Sequence, residues 1–479
     1  MSGSVQLEEL PYHPDSCALF ERLRDLPGAV FLDSGFPHCT TGRYDILAAL
    51  PVASPPAPPS ESAPEEACRE YYAELRAFHD SHFAGTMPAA PDIPFCGGLI
   101  GLLGYGMGNG LHGIPGNSSG APTATAALHA YDWCVVQDHL LRRAVLVSQP
   151  GVERSRRREV HARLRQATVT RGPAFALRES FTSNVTAAEY RSAFERIQDY
   201  ILAGDCYQVN FAQRFSAPFA GDPWQAYTEL RRVAAAPFSA FVSLGDEAAV
   251  MSLSPERFLS LQGRRVETSP IKGTRPRYSD PRADARARRE LRDSDKDRAE
   301  NLMIVDLLRN DLGRNCVPGS IHVDRLFEVQ SFAAVHHLVS TIVGELAPHS
   351  SAWDLLRDSF PGGSITGAPK RRAMQIIAEL EAHPRQSYCG SILYVSADGR
   401  MDSNIAIRTL LCEAGQVHCW GGGGIVADSQ WQREYRETFD KVGGITRGAG
   451  GFARYRVIGL SLASTKACFK SSSDSTAWN

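Results

Sequence analysis

The stretch SPIKGTRPR, Ser269–Arg277, sets a lysine, Lys272, between Ile271 and Gly273, with Pro276 close behind. Glycine and proline at this spacing predict a tight turn. A turn lysine facing water is ordinarily inert. One held out of water beside a substrate gives up its proton more readily and becomes a nucleophile. Two other segments carry carboxylates three residues apart, Asp297 with Glu300 and Glu434 with Glu437, the second followed by Lys441. On a helix that spacing places both groups on one face. Four oxygen ligands from two facing helices could hold magnesium, which favours oxygen and keeps several waters. Either pair alone is ordinarily a solvated helix face.

Backbone-rich segments supply a second kind of chemistry. FPGGSITGAPKRRAM, Phe360–Met374, is a glycine-rich loop running into a helix with Pro369 near its first turn. Free N–H groups there could bind an anion. No Gly-Lys-Ser/Thr follows at Walker spacing, so a carboxylate suits the loop at least as well as a phosphate. The run Gly421–Gly424 reads either as a flexible turn or as backbone that must approach a ligand closely. GLLGYGMG, Gly101–Gly108, reads as tight backbone packing.

The elements that must position these groups are legible in part. Residues 11–50 mix short apolar runs with turns, and the Pro/Ser-rich segment 51–67 reads as an exposed loop. Residues 95–170 return to strand-like runs (YDWCVVQD, RRAVLVSQP) and end in an Arg-rich helix. Thr186 and Glu189 have capping-box spacing and open another helix. AFVSLG, AAVMSLS, RFLSLQG and RRVETSP predict consecutive antiparallel strands. DKDRAENLMIVDLLRNDLG predicts a helix ending at Gly313, and DPWQAYTELRRVA, APKRRAMQIIAELEA and SQWQREYRETFDKVGGI predict three more. The pattern predicts an α+β body with an N-terminal region, 1–170, a second region, 184–448, that carries the lysine and both carboxylate pairs, and a poorly ordered tail, 455–479.

Composition narrows the class. The 479 residues are 43% apolar and 22% charged with a formal net charge of −2, so no global field attracts nucleic acid or an acidic membrane. The basic run Glu153–Arg165 has its arginines interleaved at helical spacing, as on a solvated helix face. Eleven cysteines without a CxxC pair fit reduced, mostly buried thiols of a cytoplasmic protein. No signal peptide is apparent at the N-terminus, and no apolar run approaches the ~20 residues of a membrane span.

Taken in order, GDCYQVNFAQRF, SLSPERF, PIKGTRPR, DRAENLMIVDLLRNDLGR, VHHLVSTIVGEL, FPGGSITGAPKRRAMQIIAELE, MDSNIAIRTL, GGGGIVADS and EYRETFDK resemble the chorismate-utilising enzymes. The resemblance is dense over residues 186–446 and looser before them. It implies a fold of two antiparallel β-sheets flanked by helices. Within that family the position of Lys272 is usually alanine where anthranilate is formed, and lysine where C4 of chorismate is aminated. The isochorismate- and salicylate-forming members place a water-activating lysine where this chain has Gln208. The resemblance therefore implies the large, chorismate-binding subunit of a C4-aminating enzyme, with product 4-amino-4-deoxychorismate, on the way to 4-aminobenzoate and folate. The alternatives are an anthranilate-forming enzyme and a non-catalytic chorismate-binding homologue.

The same resemblance assigns roles. Glu256 would be the acid that protonates the departing hydroxyl, and Lys272 the nucleophile, with Arg275 and Arg277 as candidate cationic neighbours. Glu300 and Glu437 would bind Mg2+ directly, with Asp297 and Glu434 acting through water. Arg408, Tyr394, Lys441 and the backbone of Gly422, Gly423 and Gly424 would hold the substrate carboxylates, aided by Ser364 and Thr366. His337 would lie by the ring, and His336 would be structural. Ammonia would come from a separate glutamine amidotransferase (glutaminase) subunit, because the chain has no G-x-C-x-G elbow around Cys206 or Cys389. FLDSG, with Ser34, and Tyr44 downstream resemble a tryptophan-binding region of the family, although plain core packing explains the motif more simply.

Overall fold

The computed structural model describes residues 4–448, apart from 40–41, 61–62, 87–91, 116–125, 167–171, 246–247 and 333–334. The tail expected over 455–479 lies outside the described residues. Two antiparallel sheets, of thirteen and nine strands, form the α+β body, and helices flank them. Alternating apolar residues of both sheets face each other, and one core cluster runs from Val30 to Trp420.

Strands from both sides of residues 171–183 complete each sheet. Val30–Asp33 pairs with Phe238–Gly245 in the larger sheet, and Gly98–Leu103 pairs with Ser391–Ser396 in the smaller. Close approach explains the glycines of GLLGYGMG: a Cβ on Gly101 would lie 1.9 Å from the Ala127 carbonyl oxygen.

Three local expectations are revised. The four strands expected to be consecutive form two hairpins in different sheets. Phe238–Gly245 pairs with Ala248–Ser254 in the larger sheet, whereas Arg257–Gln262 pairs with Arg265–Thr268 in the smaller. The chain crosses between sheets at Pro255 and Glu256. Lys272 lies in a strand, Ile271–Pro276, and not in a turn. The Pro/Ser-rich segment gives way at Glu65 to the helix Glu65–Phe83.

Other expectations stand. Thr186 and Glu189 form the capping box of Ala187–Leu202. The Arg-rich helix Arg154–Leu164 buries only Val160 and Leu164. The described cysteines are free thiols. No described helix is long and apolar enough to cross a membrane.

Candidate active site

The Lys272 strand pairs with Val335–Glu345. Lys272 stands opposite Leu338, and Thr274 opposite His337, so the register slips at Gly273. This bulge is where the strand turns the lysine toward the other residues of the site. Gly273 has φ +78°, and a Cβ there would meet Leu291 Cδ1 at 2.8 Å and Asp297 Cγ at 2.9 Å. Only glycine suits both the backbone and the approach of the neighbouring helix. Lys272 Nζ donates to the Ser364 carbonyl at 3.3 Å. Part of the side chain keeps contact with solvent, yet protein surrounds the ammonium. Burial lowers its pKa; Glu300 and Glu256 oppose this, and Lys441 adds to it.

Glu256 occupies the crossing between sheets and is 5% exposed. Its carbonyl accepts from the Ile405 N–H at 3.0 Å, and its own N–H donates to Ser254 Oγ at 3.2 Å. Burial raises the pKa of its carboxyl above the usual range. The Ser364 hydroxyl, Lys272 and the Ile271 N–H partly offset that rise. Ser364 sits in the short 3-10 turn Gly363–Ile365 of the glycine-rich loop. Its carbonyl receives Lys272 while its hydroxyl serves Glu256.

Two helices bring the four carboxylates. Asp295–Leu312 is capped by Ser294, whose Oγ accepts the Asp297 N–H at 3.2 Å. Asp297 pairs with Arg275 at 2.9 Å, and Glu300 lies 3.8 Å from Lys296. Trp431–Gly448 carries Glu434, Glu437 and Lys441. Glu434 accepts from Ser429 at 2.7 Å. Lys441 reaches Glu437 at 2.7 Å and the Gly422 carbonyl at 2.8 Å. Burial raises the pKa of Glu300; Lys272 and Lys296 pull it down, and Asp297 and Glu437 push it up. Burial also pushes Glu437 up, but Lys441, Lys272 and Lys296 bring it below the usual range. Glu300 and Glu437 thus face one another and Lys272.

The glycine run is the floor on which the second helix packs. A Cβ on Gly423 would lie 3.1 Å from Glu434 Oε2 and 3.6 Å from Glu437 Oε1. Bare backbone there leaves a cradle beside two carboxylates. Among the described residues no three His, Cys, Asp or Glu side chains gather closely enough to hold a metal ion by themselves. The donors are all carboxylate oxygens with space beside them. That set fits magnesium, a hard cation that retains waters.

Arg408 has left-handed backbone, φ +51°, and makes no ion pair among the described residues. Burial lowers its pKa, with Glu256 opposing. A largely enclosed guanidinium without a carboxylate partner is costly unless an anion joins it. His337 bonds Thr274 Oγ1 through Nδ1 at 2.9 Å, and burial together with Arg408 pushes its pKa down to about 3. It is a neutral imidazole. His336 fastens Ser331 and Asp284 at 2.8 and 3.1 Å, as a structural residue would.

Not every expected residue joins this group. Tyr394 packs edge-on against Phe95, and the charged groups that act on it are Asp402, Arg257, Arg400 and Asp398. The Thr366 hydroxyl donates to the Gly362 and Gly363 carbonyls of its own loop. Arg275 and Arg277 are engaged by Asp297 and Asp284, so the cation acting on Lys272 is Lys441 instead. Ser34 bonds Asp45 through both its N–H and its hydroxyl, at 2.8 and 2.7 Å, in a buried network with His139 and Ser16. Tyr44 lies beneath the Arg43 guanidinium, 4.5 Å away.

Sequence reasoning missed two buried ion pairs near the site. Lys370 Nζ reaches Asp311 Oδ2 at 2.7 Å and the Ser359 carbonyl at 2.8 Å, tying the root of the glycine-rich loop to the Glu300 helix. Glu381 and Arg385 form the other, and their i,i+4 spacing was the available signal. Gln208 is buried against Gly424, and neither of its amide atoms has a partner among the described residues.

A buried lysine and a buried acid joined through one serine, beside an unpaired arginine and four carboxylates, define an enzyme for an anionic substrate. Its family follows from comparison with known proteins: the chain belongs to the chorismate binding enzyme family, whose pattern it matches over residues 48–447. It is 45% identical to aminodeoxychorismate synthase component 1 of Salmonella typhimurium over 446 residues, 90% of this chain and 96% of that one. It is 40% identical over 382 residues to anthranilate synthase component 1 of Streptomyces coelicolor, covering 75% and 74% of the two chains. Among solved structures, anthranilate synthase component I from Streptococcus pneumoniae superposes with a TM-score of 0.72 at 30% identity, covering 85% of this chain and 92% of that one.

Proposed function

We propose that this chain converts chorismate and ammonia to 4-amino-4-deoxychorismate through a covalent adduct on Lys272. The observation that carries the reading is the shared contact of Lys272 and Glu256 with Ser364. The relatives named aminodeoxychorismate synthase component 1 support it.

The unpaired Arg408 holds a substrate carboxylate, with the remaining Lys441 donor and the backbone of Gly422, Gly423 and Gly424 beside it. Neutral Lys272 attacks C2 of chorismate, favoured by the burial that lowers its pKa. Both ring double bonds shift, C1=C2 to C1=C6 and C5=C6 to C4=C5, and the C4 hydroxyl leaves as water with the proton of Glu256. The raised pKa of Glu256 suits it to hold that proton near neutrality. Ammonia then adds at C4 and the C2–N bond breaks, returning the electron pair to Lys272. The new ammonium gives a proton back to Glu256. Neutral His337 borders this space without adding charge.

Glu300 and Glu437 would hold Mg2+, with Asp297 and Glu434 as supporting carboxylates that would act through water. When bound, magnesium neutralises and orients the ring carboxylate. The relatives' designation as a component 1 supports a partner component, which we assign as a glutaminase supplying ammonia. In this reading the chain is a cytoplasmic transferase subunit.

Product analysis tests the reading directly, with purified protein, chorismate, magnesium and ammonium. Wild type should give 4-amino-4-deoxychorismate, and Lys272→Ala should lose it. Anthranilate or isochorismate from wild type would overturn the assignment, and no turnover would make the chain a binding homologue.

A further inference from the structure

We propose that the buried pair Glu381–Arg385, which contacts no reacting atom in the mechanism above, is a positioning device for this reaction. Arg385 is 2% exposed and Glu381 7%. Their mutual bonds, Nε to Oε2 at 2.9 Å and Nη2 to Oε1 at 2.7 Å, leave other Arg385 donors for the surroundings. Nη1 donates to the Ile365 carbonyl at 2.8 Å, and Nη2 to the Asn210 carbonyl at 2.7 Å. Glu381 Oε1 also accepts the Ala212 N–H at 2.8 Å.

These anchors fall at informative places. Ile365 follows Ser364, the residue that joins Lys272 to Glu256. Asn210 and Ala212 pair with Gly424 and Gly422, the floor beneath the carboxylate helix. Asn210 N–H in turn donates to the Thr366 carbonyl at 2.7 Å. One ion pair thus sets the separation between the Ser364 loop and the glycine strand. A planar guanidinium can hold two carbonyls and a carboxylate in fixed directions, which an ammonium cannot. Because Ser364 has bonding partners on both reacting side chains, a small shift of its loop disturbs acid and nucleophile together.

A small open pocket, lined in part by Tyr105, Asn109, Ile377 and Pro384, reaches the pair from outside. Its Tyr105 hydroxyl and Asn109 Oδ1 have no partner among the described residues. In Arg385→Ala the space of the removed side chain would join this pocket, which is where a free guanidinium ion would have to bind.

The inference rests on the proposed amination, so its test carries a readout independent of turnover. In Arg385→Lys we expect kcat with chorismate and ammonium to fall on the order of 100-fold, the cost of misplacing reacting groups by about 1 Å. KM for chorismate should change less than kcat, because Arg408 stands on another element and the pair touches the glycine strand only through its neighbour. Arg385→Ala should fall further and recover in part with guanidinium chloride but not with urea at equal concentration. Hydrogen exchange at Asn210 and residues 363–366 should speed up in Arg385→Lys while distant strands keep their protection. If Arg385→Ala does not fold, Glu381→Gln is read in the same way. A folded variant with wild-type kcat and wild-type exchange in the loop overturns the inference. If wild type forms no aminated product, the proposed reaction fails while the exchange comparison still decides the positioning.

Discussion

Lys272, in a strand of the smaller sheet, and Glu256, at the crossing between the sheets, meet at one residue: Lys272 Nζ lies 3.3 Å from the Ser364 carbonyl oxygen, and Glu256 accepts from the hydroxyl of the same serine. The nucleophile and the acid are thereby set side by side, with opposite pKa shifts that share burial as their leading cause.

Replacing Ser364 with alanine removes a donor that favours the charged form of Glu256. The Glu256 pKa should rise further. The limb of the pH–rate profile that reports its deprotonation should move to higher pH. Glu256→Gln should cost about 10²–10⁴-fold in rate at all pH values. Ammonium-dependent turnover measured from pH 6 to 10 checks both.

At the bulge, Gly273→Ala forces a side chain into left-handed backbone at about 1–2 kcal/mol. It also collides with Leu291 and Asp297. Both the urea midpoint and kcat should fall, because the bulge directs Lys272. An alanine variant with wild-type turnover would show that the register slip is incidental.

The Lys370–Asp311 pair is buried, with side chains 8% and 4% exposed. Lys370→Met strands a buried carboxylate and should cost about 3–5 kcal/mol. The double variant Lys370→Met/Asp311→Leu should regain most of this loss. A double-mutant cycle in urea measures the coupling, and simple additivity would contradict it.

Acid should weaken the fold before carboxylates titrate. Burial lowers His112 and His418 to about 4 and His337 to about 3, against an ordinary 6.5. Between those values the unfolded chain binds protons that the folded chain refuses, so stability rises with pH. Each group contributes a slope of up to about 1.4 kcal/mol per pH unit within its window. The melting temperature should therefore drop steadily from pH 7 to pH 5, and a flat profile would refute the neutral histidines.

Removing magnesium with a chelator should abolish product formation, and added Mg2+ should restore it. Glu437→Gln should need more Mg2+ for the same rate. Turnover unaffected by the chelator would remove the metal from the proposed reaction.

Much of this protein is local and was legible in its residues alone. Carboxylates three apart share a helix face whatever surrounds them, and Thr186 with Glu189 caps a helix wherever it sits, because helical geometry repeats within a few residues. Only the tertiary structure decided the rest. Lys272 reads as a turn residue from its neighbours, yet pairing with Val335–Glu345 makes it a bulged strand. Ser34 carries a suitable side chain, but the buried Asp45 engages both its N–H and its hydroxyl. Strand partners are chosen across hundreds of residues by burial of whole faces, so no short window records that Pro255 and Glu256 cross between sheets. Nor does any window record that the backbone carbonyl of a serine more than ninety residues beyond Lys272 accepts its hydrogen bond.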